Sequence, residues 1–215
     1  MTQYITMAIL LIVGYAFGCF STGYFVGKVY GVDIRSSGSG NVGTTNALRT
    51  LGPKAGLLTF LGDLFKALIP TLIVRFFLFQ GNTELNYLYS ITVGLGVVMG
   101  HNFPFYLHFK GGKGIAVTAG VIIATTNWIV VAIGLPVFIL AVAITKYVSV
   151  GSLIVVWIVP IYTLYYFTGS TYFVEMLVIS LIFTALAYMK HTANIKRLLN
   201  GTENKLNFSK KKENE

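Results

Sequence analysis

SSGSGNVGTTNALR, residues 36–49, is a run of serine, glycine, asparagine and threonine set between apolar blocks long enough to cross a bilayer. Gly38, Gly40 and Gly43 permit tight turns and Asn41 tolerates a positive φ, so the run can turn several backbone N–H groups toward one point. Such a concavity holds an anion. Ser36, Ser37, Ser39, Thr44 and Thr45 add hydroxyl donors, and Arg49 adds a planar fork that matches two phosphate oxygens. A flexible connector needs no arginine and no two asparagines at fixed offsets, so the run reads as a phosphate-handling loop at a membrane surface.

The surrounding composition places that loop in a bilayer. Of 215 residues 55% are hydrophobic and 11% charged, where soluble domains carry about 25% charged residues. The net charge of +9 fits basic residues gathered at one membrane face, with no need of nucleic acid. Cys19 is the only cysteine, which excludes an internal disulfide and a cysteine-based metal site. No lysine or arginine precedes the first apolar run, so no cleaved signal peptide is expected.

Candidate spans fall at roughly 4–29, 55–79, 86–105, 114–126, 128–146, 150–168 and 172–190, the fourth being short for a crossing. Pro70, Pro136 and Pro160 lie inside spans and are expected to kink them. With the N-terminus outside, Lys28, Arg35, Arg49, Lys54, Lys110, Lys113, Lys146, Lys190, Lys196, Arg197, Lys205, Lys210, Lys211 and Lys212 all reach the cytoplasmic side. The outer connections near 80–85, 127 and 169–171 contain no lysine or arginine. This positive-inside pattern predicts an all-α integral membrane protein of seven transmembrane helices, with its C-terminus and its polar loops in the cytoplasm. One domain is expected over 1–206 and a basic, disordered cytoplasmic tail over 207–215.

Two further polar stretches share the inner face. In GHNFPFYLHFKGGKG, residues 100–114, Gly111, Gly112 and Gly114 surround Lys113 just before a helix, so exposed N–H groups, a helix N-terminus and an ammonium can meet one anion. The order differs from that of a Walker A loop. His101 and His108 have no carboxylate close in sequence and read as structural. In KHTANIKRLLNGTENKL, residues 190–206, His191 and Asn194 share a helix face, while Lys196 and Arg197 suit lipid headgroups. Asp63 and Lys66, at i and i+3 inside the second span, can pair; Ser149 and Ser152 flank Gly151 in the third inner loop.

Donors at this face are abundant, but the carboxylates are only Asp33, Asp63 and Glu203, too few for a metal site built on several aspartates. No histidine is followed five residues on by aspartate, the pattern of the common glycerolipid acyltransferases. A donor-rich cradle for two phosphate groups, without metal, is the chemistry that remains. An acyl phosphate brings its own activated leaving group, so positioning and charge stabilisation suffice. A small anion or phospholipid transporter is the rival, and it wants polarity near the midplane and a path to both faces.

GSGNVGTTNALR (38–49), GHNFPFYLHFKGGKG (100–114), KHTANIKRLLNG (190–201) and LGDLFKALIP (61–70) together resemble the bacterial acyl-phosphate:glycerol-3-phosphate acyltransferases, in order and spacing, over residues 1–206. The resemblance implies an enzyme of the bacterial plasma membrane, its site facing the cytoplasm. It would use fatty acyl phosphate and sn-glycerol 3-phosphate to form lysophosphatidic acid and phosphate, the first step of phospholipid synthesis. It further implies no cofactor or metal, no covalent intermediate, and functional coupling to an enzyme that makes acyl phosphate. Carried over by motif position, Ser39 and Arg49 would bind phosphate, while Gly38, Gly40, Asn41, Thr45 and Asn46 would form the loop around it. Lys113 within Gly111, Gly112 and Gly114 would hold glycerol phosphate or the departing phosphate. Ser152 would contribute a hydroxyl, and His191 with Asn194 would orient substrate. Thr44 and Ala67 stand where the family often has alanine and glycine.

Overall fold

The computed structural model, described over residues 1–206, is built of helices and loops. The basic tail expected over 207–215 lies outside the described residues. The centre is α5 (Thr83–Asn102), buried along almost its whole length from Tyr87 to Asn102. Its closest partner is α1 (Thr2–Cys19), and glycines on both helices explain why. A methyl group on Gly14 would lie 2.2 Å from the Val93 carbonyl oxygen, and one on Gly100 would lie 2.1 Å from that of Tyr15. Gly18 and Gly96 meet the facing backbone in the same way. This is small-residue packing at a spacing of four on both helices, which lets two backbones touch where lipid offers no hydrophobic drive for helix association.

The first expected span is two helices, α1 and α2 (Thr22–Val29), with extended backbone at Phe20 and Ser21. The break frees main-chain groups that a bilayer would not satisfy, and side chains from elsewhere take them. The Tyr106 hydroxyl donates to the Cys19 carbonyl at 2.8 Å and accepts from the Ser21 N–H at 3.1 Å, while Lys66 Nζ donates to the Phe20 carbonyl at 2.7 Å. The short α3 (Thr44–Leu51) then turns at Gly52, φ +89°, into α4 (Pro53–Ile73), whose first residue is a proline that needs no N–H there. After Pro70, α4 widens into a π-helical turn, Val74–Leu78, which carries Arg75. That guanidinium donates to the carbonyls of Ala124 and Thr126 and so caps the C-terminus of α6 (Ile115–Thr125).

Next come α7 (Trp128–Thr145), α8 (Val148–Val155), α9 (Ile158–Phe167), α10 (Phe173–Lys190) and α11 (Thr192–Leu199). The sixth expected span is therefore also interrupted, between α8 and α9. Pro160 falls in the first turn of α9 and cannot donate back to Val156; the Val156 carbonyl accepts from the Thr184 hydroxyl at 3.1 Å instead.

Among the described residues five segments are long and apolar enough to cross a membrane: Thr2–Val29, Pro53–Leu78, Trp128–Thr145, Val148–Phe167 and Phe173–Lys190. α5 has a span's length but is enclosed by the others, and α6 has 11 residues. At about 1.5 Å per residue, α6 covers about 16 Å of a hydrocarbon core about 30 Å thick.

Candidate active site

The loop of residues 36–43 owes its shape to Asn46. This side chain, buried in the first turn of α3, accepts from the Ser39 N–H at 2.8 Å and donates to the carbonyls of Ser37 at 2.9 Å and Ile34 at 3.2 Å. Asn41 accepts from the Gly43 N–H at 2.9 Å, just ahead of α3. Gly38 has φ +58°, and a methyl there would meet Asn46 Oδ1 at 2.4 Å. Beneath the loop Ile34, Val42 and Ala47 form a small apolar core with Tyr24 and Leu51. A polar loop anchored this way is preorganised, with Ser39 and Arg49 left exposed.

The second loop folds back on the end of α5. His108 and Phe109 take successive left-handed conformations, φ 53° and 59°, which reverse the chain. Gly111 N–H then donates to the Asn102 carbonyl at 3.1 Å and Gly112 N–H to that of His101 at 3.0 Å. This corrects the expectation that the amides of Gly111 and Gly112 meet an anion, because both are engaged by carbonyls. Their contribution is closeness: a methyl on Gly112 would lie 2.1 Å from His101 Nε2, and one on Gly111 2.0 Å from the His101 carbonyl. Gly114, φ +83°, opens α6. Lys113 is thereby held between a clamped loop and a helix N-terminus.

A chain of polar contacts runs from Lys113 across the other elements. Lys113 Nζ donates to Asn194 Oδ1 at 2.5 Å, and Asn194 Nδ2 donates to Glu203 Oε1 at 2.6 Å. Glu203 also accepts from Arg197 Nε at 2.7 Å and from the Ser149 hydroxyl at 3.2 Å. Arg49 donates to the Asn204 carbonyl at 3.3 Å, and the Leu206 N–H to the Lys146 carbonyl at 2.8 Å. The residues after α11 thus fold back across the site. Glu203 is the hub, and the motif reading did not assign it a role. It lies beyond the helix stop at Gly201, and only its being one of three carboxylates near this face marked it out.

The electrostatics follow from burial and from these contacts. Burial lowers the Lys113 ammonium to about 8, against which Glu203 pulls up and Arg197 and Arg49 push down. Burial also lowers His191 to about 4, despite its bond to the Ala187 carbonyl. Because a carbonyl only accepts, His191 Nδ1 carries the proton in that 2.7 Å bond and Nε2 presents a lone pair. Burial pushes the Glu203 carboxyl up, but the bonds from Asn194 and Arg197 outweigh it and leave it below its ordinary value. Arg49, Lys113 and Arg197 against Glu203 leave a surplus of positive charge, the condition for binding a dianion.

These groups line one cavity of about 640 Å³. Of the expected residues, Ser39, Asn41, Thr45, Asn46, Arg49, Lys113, Gly114, Ser152, His191 and Asn194 reach its wall; Gly38, Gly40, Gly111 and Gly112 do not. The Ser152 hydroxyl donates to the Val148 carbonyl at 2.9 Å and, among the described residues, is not paired with a base. Asp63 and His101 also face the cavity. Away from the charges the wall turns apolar, with Ile122, Leu135, Phe138, Val155 and Ile158 from α6 to α9. No three described His, Cys, Asp or Glu residues gather closely enough to hold a metal ion.

Comparison with known proteins gives the same picture. The family model "Glycerol-3-phosphate acyltransferase" matches residues 8–201. The glycerol-3-phosphate acyltransferase of Clostridioides difficile is 44% identical over 207 residues, covering 94% of this chain and 96% of the relative. That of Trichlorobacter lovleyi is 39% identical, covering 89% and 93%. Among solved structures, the glycerol 3-phosphate form of PlsY (YgiH), an integral membrane glycerol 3-phosphate acyltransferase, superposes with a TM-score of 0.80 at 32% identity, covering 94% of this chain and 96% of that one. Its lysophosphatidic acid form gives 0.77 at 33% identity, covering 94% and 95%. The chain belongs to the glycerol-3-phosphate acyltransferase family and is a multi-pass membrane acyltransferase of the PlsY type.

Proposed function

We propose that this enzyme transfers a fatty acyl group from acyl phosphate to the C1 hydroxyl of sn-glycerol 3-phosphate, giving lysophosphatidic acid and inorganic phosphate. The observation that carries this reading is the division of one cavity into a cationic end, with Arg49 and Lys113, and an apolar arm between α6 and α9. An acyl phosphate has that same division. The glycerol 3-phosphate and lysophosphatidic acid forms of the PlsY neighbour support the acceptor and the product.

Arg49, Lys113 and the hydroxyls of Ser39 and Thr45 hold the two phosphate groups. The C1 oxygen attacks the acyl carbonyl carbon, the bond from that carbon to the phosphate oxygen breaks, and phosphate departs with the electron pair. The hydroxyl proton passes to His191 Nε2 or to the departing phosphate. The leaving group is already activated, and among the described residues Ser152 bonds the Val148 carbonyl and no base that would make it a nucleophile, which supports direct transfer without an acyl-enzyme. Metal is not required in this scheme. Asn194 and Glu203 hold Lys113 in place, and the loop around Gly38 and Gly40 holds Ser39.

In the membrane, residues 1–206 act as one domain of seven crossings, α5 and α6 completing the set, with the N-terminus outside and the site open to the cytoplasm of a bacterial plasma membrane. The enrichment of basic residues at the cavity end supports that orientation. An enzyme producing acyl phosphate would be the natural supplier. The test is purified protein with glycerol 3-phosphate and, in turn, palmitoyl phosphate, palmitoyl-CoA and palmitoyl acyl carrier protein, all with EDTA. Lysophosphatidic acid from palmitoyl phosphate alone is expected; product from a thioester donor with none from palmitoyl phosphate refutes the reading.

A further inference from the structure

Behind the cationic wall lies a buried group that the scheme above leaves unused. Lys66 Nζ is 2.7 Å from the Phe20 carbonyl, 2.9 Å from Asp63 Oδ1 and 2.8 Å from His101 Nδ1. An ammonium has three protons, and here it has three acceptors. The carbonyl and the carboxylate can only accept, and with Lys66 as the ammonium of its 2.9 Å ion pair with Asp63 the remaining proton points at the imidazole. His101 Nδ1 therefore offers a lone pair, and the ring proton sits on Nε2. An Nδ1–H bond to Asp63 fails on distance, since 3.6 Å is too long for it. Asp63 and Lys66 cancel each other's charge, leaving His101 neutral between them.

The fixed Nε2–H lies under the Lys113 loop, since a methyl on Gly112 would come within 2.1 Å of it. His101 faces the cavity, and among the described residues nothing accepts a hydrogen bond from Nε2. His191 faces the same cavity with the opposite tautomer, its Nδ1–H tied to the Ala187 carbonyl at 2.7 Å. One imidazole can only give a hydrogen bond there, and the other can only take one.

We propose that His101 is a catalytic residue that donates its Nε2–H to a substrate oxygen gathering negative charge, with Lys66 and Asp63 as positioning residues that fix its tautomer. The inference rests on the acyl-transfer reading for its substrate, while the tautomer rests on the Lys66–Asp63 ion pair and the 2.8 Å contact of Lys66 Nζ with His101 Nδ1. In acyl transfer the negative charge moves from the attacked carbonyl oxygen to the departing phosphate, and a neutral donor stabilises either without binding the ground state as tightly as a cation would.

The test begins with enzyme labelled with ¹⁵N-histidine in micelles, the exposed His108 being removed as His108→Gln to simplify the spectrum. His101 is expected protonated at Nε2 and bare at Nδ1, and His191 the reverse; a proton on His101 Nδ1 overturns the proposal. Titration with lysophosphatidic acid and, separately, with inorganic phosphate should move the His101 Nε2–H resonance. Movement with both assigns the bond to phosphate, movement with lysophosphatidic acid alone assigns it to the acyl carbonyl, and movement with neither overturns it. In turnover, His101→Phe should lower kcat by about 100-fold, and His101→Gln, which keeps an N–H donor at similar reach, should recover part of that loss. Equal impairment of the two variants, or wild-type turnover by His101→Phe, overturns the donor role. A wild-type enzyme that makes no lysophosphatidic acid from acyl phosphate sinks the donor reading, whereas the tautomer result is independent of it.

Discussion

Raising the pH should weaken glycerol 3-phosphate binding through Lys113 alone. Burial in the free enzyme lowers this ammonium to about 8, whereas the substrate phosphate, with a second pKa of about 6, is already a dianion above neutrality. A lysine with a pKa lowered on folding is charged below that value and neutral above it. At pH 9 only about a tenth of the free enzyme still carries the proton. If only the ammonium form binds well, KM for glycerol 3-phosphate rises about tenfold between pH 7 and pH 9, while kcat at saturation changes much less because bound phosphate holds the proton on. The assay is phosphate release at fixed palmitoyl phosphate across pH 6.5 to 9.5. Lys113→Arg keeps its charge throughout, since arginine has a pKa above about 12, and should erase the rise whatever its absolute rate. A flat KM in the wild type, or an undiminished rise in Lys113→Arg, refutes the reasoning.

Other expectations follow from single contacts. Lys113→Ala should cut kcat/KM by about 100-fold in the same assay if the ammonium meets charge developing on the reacting groups. Glu203→Gln weakens the bonds from Asn194, Arg197 and Ser149; at about 1.5–3 kcal/mol for a bond to a charged group, kcat/KM should fall about tenfold or more, with a lower thermal midpoint in detergent. Gly112→Ala pushes a methyl into His101 Nε2, 2.1 Å away, and should raise KM for glycerol 3-phosphate and cost about 1–3 kcal/mol of stability by thermal shift. Gly18→Val separates α1 from α5, where a methyl alone would lie 2.1 Å from the Val97 carbonyl, and should lower the thermal midpoint much more than Gly169→Ala, where a methyl meets nothing within 4 Å.

The polar loops that line the cavity were more legible in the sequence than the helices that carry them. The run from Ser39 to Arg49 and the Gly-Gly-Lys-Gly run announce themselves through residue types that lipid-facing helices do not need, and Asn46 was assigned to loop shaping, which its three bonds now describe. The helix break at Phe20 and Ser21 was not readable, because no proline marks it and its carbonyls are satisfied by Tyr106 and Lys66, which are distant in sequence. Pro160 did signal an interruption, but hydropathy reads straight through α8 and α9. Gly14, Gly18, Gly96 and Gly100 carried a packing signal at spacing four that only pairing the two spans would have exposed. Asp63 and Lys66 announce a pair by their spacing of three, yet His101 joins them through the tertiary fold, 35 residues from Lys66.

The central claim, direct transfer between two substrates held together in one cavity, is tested most directly by phosphate release from palmitoyl phosphate before and after glycerol 3-phosphate is added, at enzyme concentrations high enough to see one turnover. The account predicts no release beyond the uncatalysed rate until glycerol 3-phosphate arrives, then one lysophosphatidic acid for each phosphate. A burst of phosphate equal to the enzyme before acceptor is added, with acyl groups retained on the protein, would contradict it.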